Sequence, residues 1–271
     1  MRDTHVRQTV PDGGAAAWLW RPRPNPQAAG RLFCFPCAGR GASLFRGWAE
    51  RVPAAIEVCA VQYPGREQRL REAPFTRMPD LVAGVAEALW PLLDRPYAVF
   101  GHSIGALVGF ECARQLRRQG HPEPAHLMLG ARRAAHVPER HEPIGHLPQT
   151  EFIAAIRERY DGIPAEVLRH PDLMDLLLPT LRADIQLLEG YTHAEEHPLG
   201  CAITCFGGRE DREATLQDLE GWREHTTGAF AVRMFPGGHF FLQSAQADVM
   251  GTIRQILGGV IGEAMVRAGR A

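Results

Sequence analysis

No lysine occurs among the 271 residues; all 30 basic side chains are arginine. The bias covers the whole chain, so it reads as the codon usage of a GC-rich genome rather than a local demand for guanidinium groups. A basic surplus is missing too. The formal net charge is −1, whereas a nucleic-acid binder carries positive charge to meet the phosphates. No window approaches the roughly 18 uninterrupted apolar residues of a membrane span. The opening stretch, MRDTHVRQTVPDGGAAAWLW, lacks the apolar core of a signal peptide. There is no internal repeat and no low-complexity tract. These absences lead to the expectation of a cytoplasmic protein that meets neither nucleic acid nor membrane.

The six cysteines, at 34, 37, 59, 112, 201 and 205, should stay reduced in that compartment. Cys34 and Cys37 form a C-x-x-C pair, but a zinc site needs two further ligands at suitable spacing. Cys201 and Cys205 share one face of a strand at a separation too long to supply them. Ordinary buried thiols are expected, with no metal and no cofactor. The length suits one domain, residues 1–271, with a single sizeable core.

Short apolar runs at 31–38, 56–63, 97–101 and 126–130 read as buried strands. Helical periods at 80–93, with Asp80 as N-cap, and at 104–119, closed by Gly120, lie between them. This alternation builds an α/β fold with a mostly parallel sheet flanked by helices. It then breaks. From about 132 to 192 there is no good strand, only helical stretches at 150–160, 164–169 and 171–189. An insertion of that length is too long for a plain connection and reads as a lid over the carboxyl edge of the sheet. Strand patterns resume at 201–206 and 230–235, and a last helix covers about 245–265.

Gly101-His102-Ser103-Ile104-Gly105 matches G-x-S-x-G. The five residues alone are a weak signal; their setting between a strand and a helix is that of a nucleophile elbow in an α/β-hydrolase fold. The helix N-terminus at Ser103 favours developing negative charge. A serine hydroxyl needs a base, and the base needs a carboxylate to orient it. His239, in the Gly-rich loop Phe235-Pro236-Gly237-Gly238-His239, is the expected base. The acid belongs in Gly207-Gly208-Arg209-Glu210-Asp211, where Asp211 is preferred and Glu210 is the alternative. Spacing and charge do not separate the two. The expected oxyanion donors are the backbone amides of Ile104 and Ala38, the latter in the loop after the first of these strands.

Several stretches together resemble the stand-alone type II thioesterases of polyketide and nonribosomal peptide biosynthesis. They are Leu32-Phe33-Cys34-Phe35-Pro36, Gln62-Tyr63-Pro64-Gly65-Arg66-Glu67 and Phe100-Gly101-His102-Ser103. Further on come Leu178-Pro179-Thr180-Leu181-Arg182-Ala183-Asp184, Gly207-Gly208 with Asp211, and Phe235 to Phe241. They keep the family order over nearly the whole chain. The resemblance implies Ser103, Asp211 and His239 as a catalytic triad. It also implies an enzyme that clears stalled or misprimed acyl groups from the phosphopantetheine arm of acyl or peptidyl carrier proteins; a monomer is expected. The same triad would serve an acyltransferase, a cyclase or a carboxylesterase; a non-catalytic synthase-binding partner would not need it. Two positions depart from the family. Cys37 stands where histidine or an aromatic residue is common, and Arg40 where a second glycine is usual.

Overall fold

A computed structural model describes residues 17–160 and 171–268. Its sheet has seven strands among the described residues: β1 Leu19–Trp20, β2 Gly30–Phe35, β3 Ile56–Val61, β4 Tyr97–His102, β5 His126–Gly130, β6 Ala202–Gly208 and β7 Phe230–Phe235. Their order is β1-β3-β2-β4-β5-β6-β7. β1 runs antiparallel to β3, and all other neighbours are parallel. The α/β architecture expected from the alternation is the one found.

Strands β2, β3 and β4 are buried along their whole length, which is why they read as continuous apolar runs instead of alternating ones. Their side chains still alternate between two cores. Phe33, Phe35, Cys59, Val61 and Val99 point to one face. Leu32, Cys34, Val58, Ala60 and Phe100 point to the other. The first face is covered by helices α1 (Met78–Leu89) and α2 (Ile104–Arg118). After α3 (Gln149–Tyr160), α4 (Pro171–Glu189), α5 (Leu216–Glu220) and α6 (Phe241–Ser244) comes α7 (Gln246–Ala268), which covers the second face. Charge within this buried sheet is paired: Arg31 Nε donates to Glu57 Oε2 at 2.9 Å across the β2–β3 pair, as a buried ion must be.

Local corrections to the sequence expectations have physical causes. Asp80 is not the N-cap of α1. Arg77 caps it with extended backbone, and Asp80 lies in the first turn, 3.5 Å from the Arg77 guanidinium. Pro79 sets this start, because its fixed φ and missing N–H suit the first helical positions. The same helix stops at Leu89 instead of running on to 93, and a 3-10 turn, Trp90–Leu92, takes over around Pro91. The strand read over 31–38 ends at Phe35, before Pro36. Two-residue β1 and the short α5 and α6 have no sequence reading above. α5 nevertheless carries a legible signal, the reciprocal capping box of Thr215 and Asp218.

Between β5 and β6 the described residues hold α3 and α4 and no strand of the sheet. The helix expected at 164–169 lies outside the described residues. The end of β2, the elbow after β4 and the loops after β6 and β7 all open at the carboxyl edge of the parallel strands. Ligand sites of open α/β sheets form at that edge.

Candidate active site

Ser103 sits between β4 and α2 with φ 56° and ψ −121°, a left-handed conformation that an L-residue holds only when its surroundings enforce it. The enforcement is visible. Ser103 N–H donates to Gly130 O at 2.8 Å, and Ser103 O accepts from Ala106 N at 3.0 Å. A Cβ on Gly101 would stand 2.3 Å from Gly105 O, and one on Gly105 would stand 2.2 Å from Phe35 O. Both glycines of G-x-S-x-G are therefore required by contact with backbone. The second contact also presses the start of α2 against the end of β2, which sets the Pro36–Gly39 loop beside Ser103.

The loops after β6 and β7 are zipped together. Arg209 N–H donates to Phe235 O at 2.9 Å, and Glu210 N–H donates to Gly237 O at 3.0 Å. Gly208 permits this, since a Cβ there would lie 2.2 Å from Gly238 O. The result is one line of hydrogen bonds. His239 Nδ1 lies 2.9 Å from Asp211 Oδ2, and His239 Nε2 lies 3.0 Å from Ser103 Oγ. An ionised carboxylate only accepts, so Nδ1 carries the ring proton and Nε2 is free to accept from the Ser103 hydroxyl. All three side chains are buried. The alternative acid, Glu210, is exposed; the carboxylate that reaches His239 is Asp211.

Asp211 Oδ1 accepts from the amides of Glu213 at 2.9 Å and Ala214 at 3.2 Å. Burial is the strongest influence on this carboxyl and pushes it up. The hydrogen bond and charge of His239, with the two amides, outweigh burial and hold it below the usual carboxylate value. His102, the x before the serine, is 1% exposed, and neither ring nitrogen has a hydrogen-bond partner among the described residues. Burial, and then the charge of His239, push this imidazole down to about 3. It therefore stays neutral 5.8 Å, ring to ring, from His239.

The Ala38 amide makes no hydrogen bond among the described residues. The Ile104 amide is the first of α2, where helical amides have no intrahelical carbonyl. Both expected oxyanion donors are thus free to receive charge. Two spaces meet at His239. A cleft of about 440 Å³ is bounded by Arg40, Leu44, Gly238, Gln243 and Tyr160. A smaller apolar pocket of about 30 Å³ lies at Ser103 under Ile156, Leu181, Ile185 and Leu188. Cys37, Ala38, Tyr160, His239 and Phe240 line both. Burial, with Arg40 opposing it, pushes the Cys37 thiol up to about 12. Arg40 is exposed at the mouth. The other cysteines are free and buried away from these spaces.

Sequence reasoning assigned no role to Tyr160, whose ring stands 5.2 Å from that of His239, or to the pairing of Arg66 with Asp184. Those two residues lie 118 positions apart and form a buried, two-pronged ion pair at 2.7 and 2.9 Å. Each falls within a stretch quoted for the resemblance, but no local pattern links them.

The thioesterase domain family matches residues 30–257 of the chain. Linear gramicidin dehydrogenase LgrE of Brevibacillus parabrevis is 40% identical over 260 residues, which are 95% of this chain and 96% of that protein. Among solved structures, the RedJ thioesterase of the prodiginine pathway in Streptomyces coelicolor is 38% identical with a TM-score of 0.79, covering 88% of this chain and 92% of RedJ. The type II thioesterase BorB of the borrelidin cluster is 30% identical with a TM-score of 0.79, covering 89% and 96%.

Proposed function

We propose that this chain, which belongs to the thioesterase domain family, hydrolyses acyl groups from the phosphopantetheine arm of acyl or peptidyl carrier proteins, as an editing enzyme of polyketide or nonribosomal peptide assembly. The observation that carries the reading is the Ser103–His239–Asp211 line at 3.0 and 2.9 Å, set against an apolar pocket in a thioesterase fold. The likeness to BorB, a type II thioesterase, supports the editing role.

The steps follow from the geometry. His239 Nε2 takes the Ser103 proton as Oγ attacks the thioester carbonyl. Asp211, ionised, steadies the imidazolium. The amides of Ala38 and Ile104 receive the oxyanion. Collapse expels the pantetheine thiol, protonated from His239. Water then attacks the acyl-Ser103 ester with His239 again as base, and the acid leaves. The apolar side chains over Ser103 meet the first carbons of the acyl group, a space of about 30 Å³ that must widen for longer chains, and the larger cleft past Arg40 takes the arm. The insertion at about 132–192 acts as a lid, since its residues Ile156, Leu181, Ile185 and Leu188 roof that pocket. We take the protein to act as a monomer with one domain over 1–271. No described helix is long and apolar enough to cross a membrane, and six buried free thiols suit a reducing cytoplasm.

The name of LgrE raises a dehydrogenase reading. A dinucleotide site of the common α/β type needs a G-x-G-x-x-G turn leading from a strand into a helix. Here the turn after β2 reads Pro36-Cys37-Ala38-Gly39-Arg40-Gly41 and leads into a four-residue 3-10 turn, Ala42–Phe45. Hydrolysis is the better supported chemistry. The test is Ser103→Ala with an acyl-loaded carrier protein. We expect loss of at least about 1,000-fold in kcat, and wild-type turnover by this variant refutes the assignment. Mass analysis of the products separates hydrolysis from transfer or cyclisation, and free esters run beside carrier thioesters separate a carboxylesterase.

A further inference from the structure

The loop that bears the Ala38 amide is tied to the insertion by one carboxylate. Asp184, on α4, is 1% exposed. Its Oδ2 accepts from the Gly39 amide at 2.8 Å and from Arg66 Nη1 at 2.7 Å, while its Oδ1 accepts from Arg66 Nη2 at 2.9 Å. Arg66 in turn donates from Nε to Pro64 O at 3.2 Å and from Nη1 to Arg40 O at 3.4 Å. Gln62 Nε2 donates to Arg66 O at 3.0 Å, and Gln62 Oε1 accepts from the Ala42 amide at 2.9 Å. The backbone from Gly39 to Ala42 is thus held at three points by residues of two other segments. Thr180, one turn before Asp184 on α4, donates its hydroxyl to Gly65 O.

The same helix face carries Leu181, Ile185 and Leu188 over the Ser103 pocket. Leu181 Cδ1 lies 3.4 Å from where a Gly39 Cβ would be, so it rests on the same loop. Resting on the thioesterase reading above, we propose that Asp184 is a positioning residue. It fixes the Gly39 amide and thereby aims the neighbouring Ala38 amide at the oxyanion, so the helix that roofs the acyl pocket also sets the oxyanion hole.

Direction at this point matters because a donor displaced by about 1 Å from a developing charge costs a large part of its effect on the rate. Asp184 need not touch substrate to matter. Its effect belongs to the transition state and should appear in kcat, leaving KM nearly unchanged.

Removing one member of a buried ion pair strands the other charge, so the variants remove both charges together. In Arg66→Met with Asp184→Leu, the Gly39 amide loses its acceptor. In Arg66→Met with Asp184→Asn, the side-chain carbonyl can still accept from Gly39. We expect the leucine pair to lose at least about 10-fold in kcat on an acyl thioester. It should also lose a similar factor in affinity for a trifluoromethyl ketone analogue, whose adduct with Ser103 carries the oxyanion. KM should stay within about twofold, and the asparagine pair should stay within about threefold of wild type. Equal behaviour of the two double variants overturns the proposal, because a structural ion pair alone would not distinguish them. The wild-type protein gives a second readout that needs no variant. Its Gly39 amide should exchange with solvent at least about 100-fold slower than an unstructured glycine amide, and exchange at the unstructured rate overturns the proposal. Fluorophosphonate labelling keeps the two readings apart. If wild-type Ser103 labels normally and the double variants still match each other, only the Asp184 linkage fails; if Ser103 does not label, the thioesterase reading fails first.

Discussion

Asp211 and His239 approach each other from loops 28 residues apart, Oδ2 to Nδ1 at 2.9 Å, and the other Asp211 oxygen is taken by the Glu213 and Ala214 amides. The carboxylate is thus aimed from both sides. Its orientation is fixed before any substrate arrives, and with it the tautomer of the ring.

Asp211→Asn should therefore lower kcat by about 10⁴ with little change in fold, because an amide at this position can favour the wrong imidazole tautomer. Glu210→Gln, at an exposed site, should change kcat by less than about twofold. Steady-state rates on one thioester decide the matter, and near-normal turnover by Asp211→Asn would move the role elsewhere. The depressed carboxyl also has a stability consequence. A folded value below the ordinary one means that the unfolded chain binds the proton more readily. Asp211 then contributes stability above its unfolded value of about 3.9, and that share is lost as pH falls through its lower folded value.

How far this site can be read from the chain depends on the range of the interactions. The strands, the elbow and the His239 loop are written in local signals: apolar runs, glycines and prolines within a few residues. Asp211 and Glu210 are adjacent and alike in charge, so only the zipped backbone of Arg209–Glu210 against Phe235–Gly237 decides which one turns inward. The Asp80 expectation failed because Pro79 began the helix earlier than the acidic residue suggested. The Arg66–Asp184 pair and the approach of the tilted Tyr160 ring to His239 join segments far apart in sequence. Residue type gives no measure of such contacts until the chain is folded.

Gly105→Ala tests the close approach of α2 to β2. The added methyl would sit 2.2 Å from Phe35 O and 2.6 Å from Pro36 O, both backbone atoms with no rotamer to yield. Overpacking usually costs about 1–3 kcal/mol, and we expect the upper end or more here. Urea denaturation gives the value. Because the displaced backbone is the Pro36–Gly39 loop, any folded fraction should also lose kcat. A variant of wild-type stability and rate would show that the two elements are looser than this.

Cys37 lines the space beside Ser103, yet burial holds its thiol up at about 12, so at neutral pH it is protonated and a poor nucleophile. Iodoacetamide at pH 8 should leave activity intact over a time in which a fluorophosphonate inactivates the enzyme fully. Cys37→Ser should keep kcat within about threefold, since the thiol takes no part in the proposed steps and the hydroxyl is of similar size. Cys37→Phe should act differently: it fills the junction of the cleft and the Ser103 pocket, and KM for longer acyl groups should rise more than for acetyl. A uniform effect across acyl lengths would remove Cys37 from the substrate path.

His102 gives the pH dependence its clearest sign. Burial and the nearby His239 push the imidazole down to about 3, against about 6.5 in the unfolded chain. Between those values the unfolded state binds a proton that the folded state refuses. Stability from this group therefore rises with pH across the window and is lost as pH falls below about 6.5. At pH 5 the loss amounts to about 2 kcal/mol relative to pH 7, from one linked proton. His102→Phe removes it. Phenylalanine can pack in the same place, beside Phe241 at 5.3 Å and Phe240 at 6.1 Å, and it deletes two ring nitrogens that have no partner among the described residues. The larger ring has its own packing cost, but volume does not titrate, so the comparison between pH values isolates the proton. Urea denaturation of both proteins at pH 7 and pH 5 should show the variant losing about 2 kcal/mol less than wild type. Parallel losses would mean that His102 already takes up its proton in the folded protein, which burial of the ring makes unfavourable.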